Sequence, residues 1–354
     1  MSTDQKMSAV EAARDIITGY RGPDIRIMEV CGTHTHEIFR QGIRDLLPSG
    51  IHLISGPGCP VCVTPVSFID EALMLALEKG CTITTFGDLV RVPGSSKSLQ
   101  LARGEGAKVK VVYSPLDAEV YAREHPDEQV VFLSVGFETT TPSSCIAVGN
   151  AVSDGLENFS LLTANKTMPA AYEAMASSTD AYLYPGHVCA VAGLKDCRDM
   201  LAKGVSGAVT GFTAPELLTA IAVIVKKLGE GKPFLVNCYP RVVREEGSPD
   251  AMELVARYME SCDARWRGIG VMKNSGMQLR AEYAGFDARK KYALPKTEGH
   301  ENKACRCGEV LQGKCSPEQC PVYGRGCTPE HPVGACMVSS EGACSAYYLY
   351  RRKQ

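Results

Sequence analysis

Seven of the sixteen cysteines fall between Cys305 and Cys344, in the run Cys305-x-Cys307-x7-Cys315-x4-Cys320-x6-Cys327-x8-Cys336-x7-Cys344. Thiolates at this density bind soft metals, either as a four-cysteine zinc site or as a [4Fe–4S] cluster. The spacing lacks the paired Cys-x2-Cys knuckles of zinc ribbons, which favours iron–sulfur. Seven thiols exceed the four that a cluster needs, so two can form a redox dithiol beside it; Cys307 and Cys336 are the candidates.

A second constellation lies near the N-terminus. Cys59 and Cys62 form a Cys-x-x-Cys pair just ahead of an expected helix capped by Thr64, with Pro65 in its first turn and Ile69, Leu73, Ala76 and Leu77 on one face before Gly80. A helix N-terminus stabilises thiolate, so this pair can bind metal or exchange disulfides. Cys31, one apolar run earlier, can join it in a soft site for iron or zinc, with His34 and His36 available to complete the ligand set. Asp88 and Glu138 follow later apolar runs and can orient histidines, handle protons, contact a partner or simply cap helices. Cys81, Cys145, Cys189, Cys197, Cys238 and Cys262 sit singly and read as small core residues.

These residues need a scaffold. Apolar, β-rich runs at Ile25–Val30, Ile51–Ile54, Thr82–Phe86, Val109–Tyr113, Val130–Val135, Phe159–Leu162, Ala181–Tyr184, Gly207–Thr210 and Phe234–Val236 alternate with helix-like segments. That alternation implies α/β architecture with parallel sheets, whose ligands bind beyond the carboxyl ends of the strands. The candidates occupy such positions: Glu29 to His36, Gly56 to Cys62, Phe86 to Asp88, Gly136 to Pro142, and Pro185 to His187. Two sheets of about four strands suit the count better than one very wide sheet. The expected division is an N-terminal helix over 1–24, started by a capping box of Ser8 and Glu11, α/β domains over 25–120 and 121–240, and a C-terminal iron–sulfur domain over 241–354. Within the last, a helical segment around Asp250–Cys262 and the run Trp266–Met272 precede polar sequence at 287–303.

Composition narrows the function. The chain is 354 residues long, 45% hydrophobic, 22% charged and formally −2 in net charge, so it can bury a sizeable core and offers no strong electrostatic grip on nucleic acid or an anionic membrane. The first twenty residues carry charges and no apolar signal core, and the apolar stretch Leu217–Val225 stops at Lys226, which points to a cytoplasmic protein. Cysteines there serve metal or thiol chemistry rather than structural disulfides. Gly94-Ser95-Ser96-Lys97-Ser98 imitates the tail of a P-loop but lacks the glycine before lysine.

The segments Met28–His36 (MEVCGTHTH), Gly56–Pro65 (GPGCPVCVTP), Thr85–Gly94 (TFGDLVRVPG), Gly136–Pro142 (GFETTTP) and Gly334–Tyr348 (GACMVSSEGACSAYY) together resemble the HypD family. The resemblance runs in order from about residue 25 to the C-terminus. It implies two related α/β domains with a C-terminal [4Fe–4S] domain, in a maturation factor of nickel–iron hydrogenases that assembles an Fe(CN)2CO group. By motif, it places Cys31, Cys59 and Cys62 at the iron site, Cys31 being the direct ligand shared with a HypC-type chaperone. Cluster ligands fall on Cys305, Cys320, Cys327 and Cys344, where Cys307 can replace Cys305 and Cys336 can replace Cys344; Cys315 is additional to the pattern. A HypE-type cyanide donor and the hydrogenase large-subunit precursor are the further partners implied. Two rival readings are an iron–sulfur-dependent protein disulfide reductase acting through Cys59 and Cys62, and a binding module whose C-terminal cysteines hold structural zinc.

Overall fold

The computed structural model describes residues 3–351. Each of the nine apolar runs coincides, within one or two residues at either end, with a strand: β1 (Ile25–Glu29), β2 (Ile51–Ser55), β3 (Thr82–Thr85), β4 (Val109–Val111), β5 (Val130–Ser134), β6 (Phe159–Thr163), β7 (Ala181–Pro185), β8 (Ser206–Thr210) and β9 (Leu235–Asn237). All pair in parallel, as one sheet of order β2-β1-β7-β8-β9 and another of order β4-β3-β5-β6. Every residue of β5, β6, β7 and β8 is buried, as expected of parallel strands covered on both faces.

The two sheets are interleaved along the chain. After β2 the chain leaves the first sheet, builds the whole of the second, and returns at β7. A boundary at residue 120 therefore does not separate them: that position lies in the helix Pro115–Glu124, between two strands of the second sheet. Both sheets have the same strand–helix rhythm, so nothing local to the sequence marks the crossing.

The first helix, α1, spans Thr3–Thr18, so Ser8 lies inside it and the expected capping box does not start it. No glycine or proline in the preceding residues stops the helix from beginning earlier. Ala13 and Ile17 of α1 share a core with Leu217, Ile221 and Ile224 of the helix Ala214–Leu228, on one face of the first sheet. A larger core joins the two sheets and reaches the C-terminal cysteines.

The segment after β9 departs from its expected form. The helix there ends at Tyr258, and β10 (Met259–Trp266) pairs antiparallel with β11 (Gly270–Leu279). Trp266 anchors this hairpin: its ring is buried, its Nε1–H donates to Ser275 Oγ at 2.9 Å, and it stacks on Phe137. The hairpin clamps the end of β6 through Thr167 N–H to Ser275 O and Met277 N–H to Asn165 O, each 3.0 Å. Among the described residues, no helix is long and apolar enough to cross a membrane.

Candidate metal centre

Glu29, the last residue of β1, is fully buried and accepts from Arg44 Nη2 at 2.6 Å and Ser55 Oγ at 2.9 Å, locking the carboxyl ends of β1 and β2 together. Cys31 follows as the N-cap of α2 (Gly32–Arg40). Beyond β2, Cys59 is the N-cap of the short α3 (Pro60–Val63), and its sulfur accepts the Cys62 N–H at 3.1 Å. The Cys31 and Cys59 loops touch directly, since Gly32 N–H donates to Gly58 O at 3.1 Å. A Cβ on Gly58 would lie 2.2 Å from Cys31 N, so glycine is what permits the approach.

Cys59 and Cys62 are joined as a disulfide with Cα atoms 5.2 Å apart. The helix expected after Thr64 is present as α4 (Val66–Leu77), but Pro65 occupies its N-cap. Thr64 instead donates its hydroxyl to Pro60 O at 2.8 Å and closes α3. Leu77 is exposed, so the buried face of α4 ends at Ala76.

Burial pushes the Cys31 thiol up to about 12, with the nearby Glu341 carboxylate adding to the rise; N–H donation from His34 and Thr33 works against it. A cation arriving at Cys31 would supply the charge that holds the thiolate. His34 is fully buried and donates from Nε2 to Gly211 O at 3.0 Å, which leaves Nδ1 as a buried lone pair without a partner. Burial drives its pKa down to about 3, so the ring is neutral. His187, after β7, and His34 both lie against the Phe212 ring, tilted to it, with centroids 5.0 and 4.6 Å away. His36 faces elsewhere: Nδ1 meets Ser340 O and Nε2 meets Tyr350 OH, both at 3.2 Å, so it docks the C-terminal segment rather than completing a ligand set with Cys31.

That segment lies over the Cys31 loop. Thr33 Oγ1 donates to Glu341 Oε1 at 2.7 Å, and Ser340 N–H donates to Asp88 Oδ2 at 3.3 Å. Asp88 thus reaches the first sheet's edge from the second through the turn between Cys336 and Cys344. Glu138 takes a different place: its Oε1 accepts Met168 N–H at 2.8 Å, while its buried Oε2 has no partner. Burial raises this carboxyl to about 7. Lys97, in the P-loop-like segment, is ion-paired with Glu105.

In the C-terminal module, Cys307, Cys336 and Cys344 hold their sulfurs within 4.8 Å of one another, all buried, and Cys305 Sγ lies 3.2 Å from Cys307 Sγ. Cys327 Sγ accepts Val333 N–H at 3.3 Å, and Cys320 Sγ is 3.9 Å from Ala304 O, beside Cys305. Of the four expected cluster ligands, Cys344 belongs to the tight group, Cys305 adjoins it, and Cys320 and Cys327 line the surrounding loops. The expected dithiol cysteines, Cys307 and Cys336, are in that tight group. Three buried cysteine sulfurs so close together are a donor set that fits a thiolate-held metal.

A protein-family model described as "Hydrogenase formation hypA family" and named HypD matches residues 7–351. The chain belongs to the HypD family. It is 42% identical over 341 residues to the hydrogenase maturation factor HypD of Azotobacter vinelandii, covering 93% of this chain and 90% of that protein. It is 42% identical to HypD of Rhodobacter capsulatus over 337 residues (92% and 89%) and 40% identical to HypD of Escherichia coli K12 over 337 residues (93% and 90%).

Within this HypD-family chain, two site residues escaped sequence reasoning. Glu341 carried a weak signal, an acid between closely spaced cysteines. Arg267 carried none: it lies in the turn of the unforeseen hairpin, 4% exposed, with its N–H on Val63 O and its Nε–H on Thr64 O, both 2.8 Å. Cys189 and Cys197, read as core residues, are buried with their sulfurs 3.8 Å apart.

Proposed function

We propose that this chain is a hydrogenase maturation factor that, with a HypC-type chaperone, holds an iron ion while the Fe(CN)2CO group is assembled on it. The observation that carries this reading is the direct contact of the Cys31 and Cys59 loops at one sheet edge, beneath the turn that links the C-terminal cysteines. The iron is substrate: Cys31 is its protein ligand, Cys59 and Cys62 are the adjacent redox pair, His34 offers a neutral nitrogen, and Asp88 and Glu138 hold or move protons. A HypE-type protein donates cyanide, and the hydrogenase large-subunit precursor receives the finished group by way of the chaperone.

Cys305, Cys320, Cys327 and Cys344 are the proposed ligands of a resident [4Fe–4S] cluster. When bound, such a cluster supplies electrons one at a time. Cys307 and Cys336, beside Cys344 and Cys305, collect a pair of reducing equivalents as thiols and pass them to Cys59 and Cys62 by thiol–disulfide exchange. The family membership gives no support to a free-standing protein disulfide reductase.

The test is infrared spectroscopy with iron analysis on protein co-expressed anaerobically with its HypC- and HypE-type partners. Cyanide and carbonyl bands that vanish in Cys31→Ala are the expected result. An iron-loaded, brown protein without such bands would overturn the scaffold.

A further inference from the structure

The turn of the β10–β11 hairpin stands between the two redox cysteine pairs and touches the residue that follows one cysteine of each. On one side, Arg267 binds the carbonyls of Val63 and Thr64, directly after Cys62. On the other, Gly268 (φ +72°) packs so closely on Gly308, directly after Cys307, that a Cβ on Gly268 would lie 2.0 Å from Gly308 Cα. Gln312 Nε2 donates to Gly268 O at 2.5 Å and fixes the turn to the helix Cys307–Leu311. The helix Ala335–Val338, which carries Cys336, packs on α3.

Arg267 has spare bonding capacity. Its Nη2 is buried without a partner, and its side chain lines a cleft of about 440 Å³ with Cys305, Cys307 and Gly334. An unpaired guanidinium nitrogen in a buried place is costly unless an anion comes to it.

We propose that Arg267 and Gly268 form a positioning turn that holds the Cys59–Cys62 disulfide and the Cys307/Cys336 dithiol in register for exchange, with Arg267 Nη2 receiving the sulfur anion that develops. This inference rests on the relay proposed above. In the exchange, the Cys336 thiolate attacks Cys62 Sγ, the Cys59–Cys62 bond breaks, and Cys59 leaves as thiolate. Cys307 thiolate then attacks Cys336 Sγ and displaces Cys62. Two electrons and two protons pass from one pair to the other, and no outside oxidant is required.

The experiment adds a small dithiol reductant to the anaerobically isolated full chain, quenches with acid, alkylates, and follows each cysteine pair by peptide mass spectrometry. Comparison with Cys336→Ser divides the reduction of Cys59–Cys62 into a Cys336-dependent and a direct route. In Arg267→Gln the dependent route is expected to slow by about tenfold to a hundredfold, the range that a misplacement of about 1 Å produces, with the direct route unchanged. Arg267→Lys, which keeps the cation, is expected to recover most of the rate. Gln312→Ala, which removes the side-chain bond to Gly268 O without straining the turn, provides a second variant should Arg267→Gln fold poorly, and it is expected to slow the same route. An unchanged dependent route, an equal loss in both routes, or no recovery in Arg267→Lys would overturn the proposal. Absence of any Cys336-dependent route in the unmodified chain would instead remove the relay itself.

Discussion

Glu138 sits with one carboxylate oxygen bonded and the other buried alone, and its pKa of about 7 sets a sign for stability. The folded value lies above the unfolded one, so between about pH 4.5 and 7 the unfolded chain loses this proton while the folded chain keeps it. Stability from this group is therefore complete at low pH and is lost as pH rises through that window, by on the order of 3 kcal/mol. Glu138→Gln removes the dependence: denaturation midpoints across the window flatten relative to the unmodified chain, and an unaltered profile would refute the assignment. His34 gives a second residue-scale test. With its Nε2–H fixed on Gly211 O, its ¹⁵N resonances are expected to report one neutral tautomer down to about pH 4, and an imidazolium signal near pH 6 would contradict the burial argument.

At the scale of elements, the close passage of Gly58 over Cys31 is the most sensitive point of the proposed iron site. Gly58→Ala forces the two loops apart and is expected to cost roughly 1–3 kcal/mol, as overpacking does, together with the bound iron. Denaturant midpoints and iron content measured together check this; a variant that is stable and fully loaded would show that the loops need not touch. The central parallel strands β5 to β8 were legible because strands covered on both faces are written as continuous apolar runs, and the others because each keeps a short β-rich apolar run between helix-like segments. The β10–β11 hairpin was not: its strands mix exposed, half-buried and buried positions, its alternation is weak, and its turn, Arg267-Gly268-Ile269, lacks a strong turn dipeptide. Missing the hairpin meant missing Arg267. That the Cys31 and Cys59 loops could meet was readable from their positions after successive strands, and Cys307 and Cys336 were paired in the sequence reading, whereas the place of Cys344 in one tight group with them depends on loop paths that linear spacing does not encode.

At the scale of the whole molecule, the module from Cys305 to Cys344 contains only short helices, so the proposed cluster would add to its packed core by tying these loops together. Stripping iron anaerobically with a chelator is expected to open this module to trypsin at exposed Lys303 and Arg325 while the two sheets resist. Equal resistance before and after chelation would mean that packing alone holds it. The interleaved topology was illegible for a different reason: strand runs of the same composition serve both sheets, and only tertiary packing assigns them. In the finished sheet β1 lies between β2 and β7, and Arg26 N–H donates to the Asp180 carboxylate across 154 positions of chain. During translation, Cys31, Cys59 and Cys62 therefore exist before the strand that flanks β1 has been made, for an interval on the order of ten seconds at ordinary elongation rates. The C-terminal turn that covers Cys31 is made later still. A newborn chain thus presents three uncovered thiols, and at the proposed iron site a soft metal such as zinc or copper would have that interval in which to bind them before the finished fold covers Cys31.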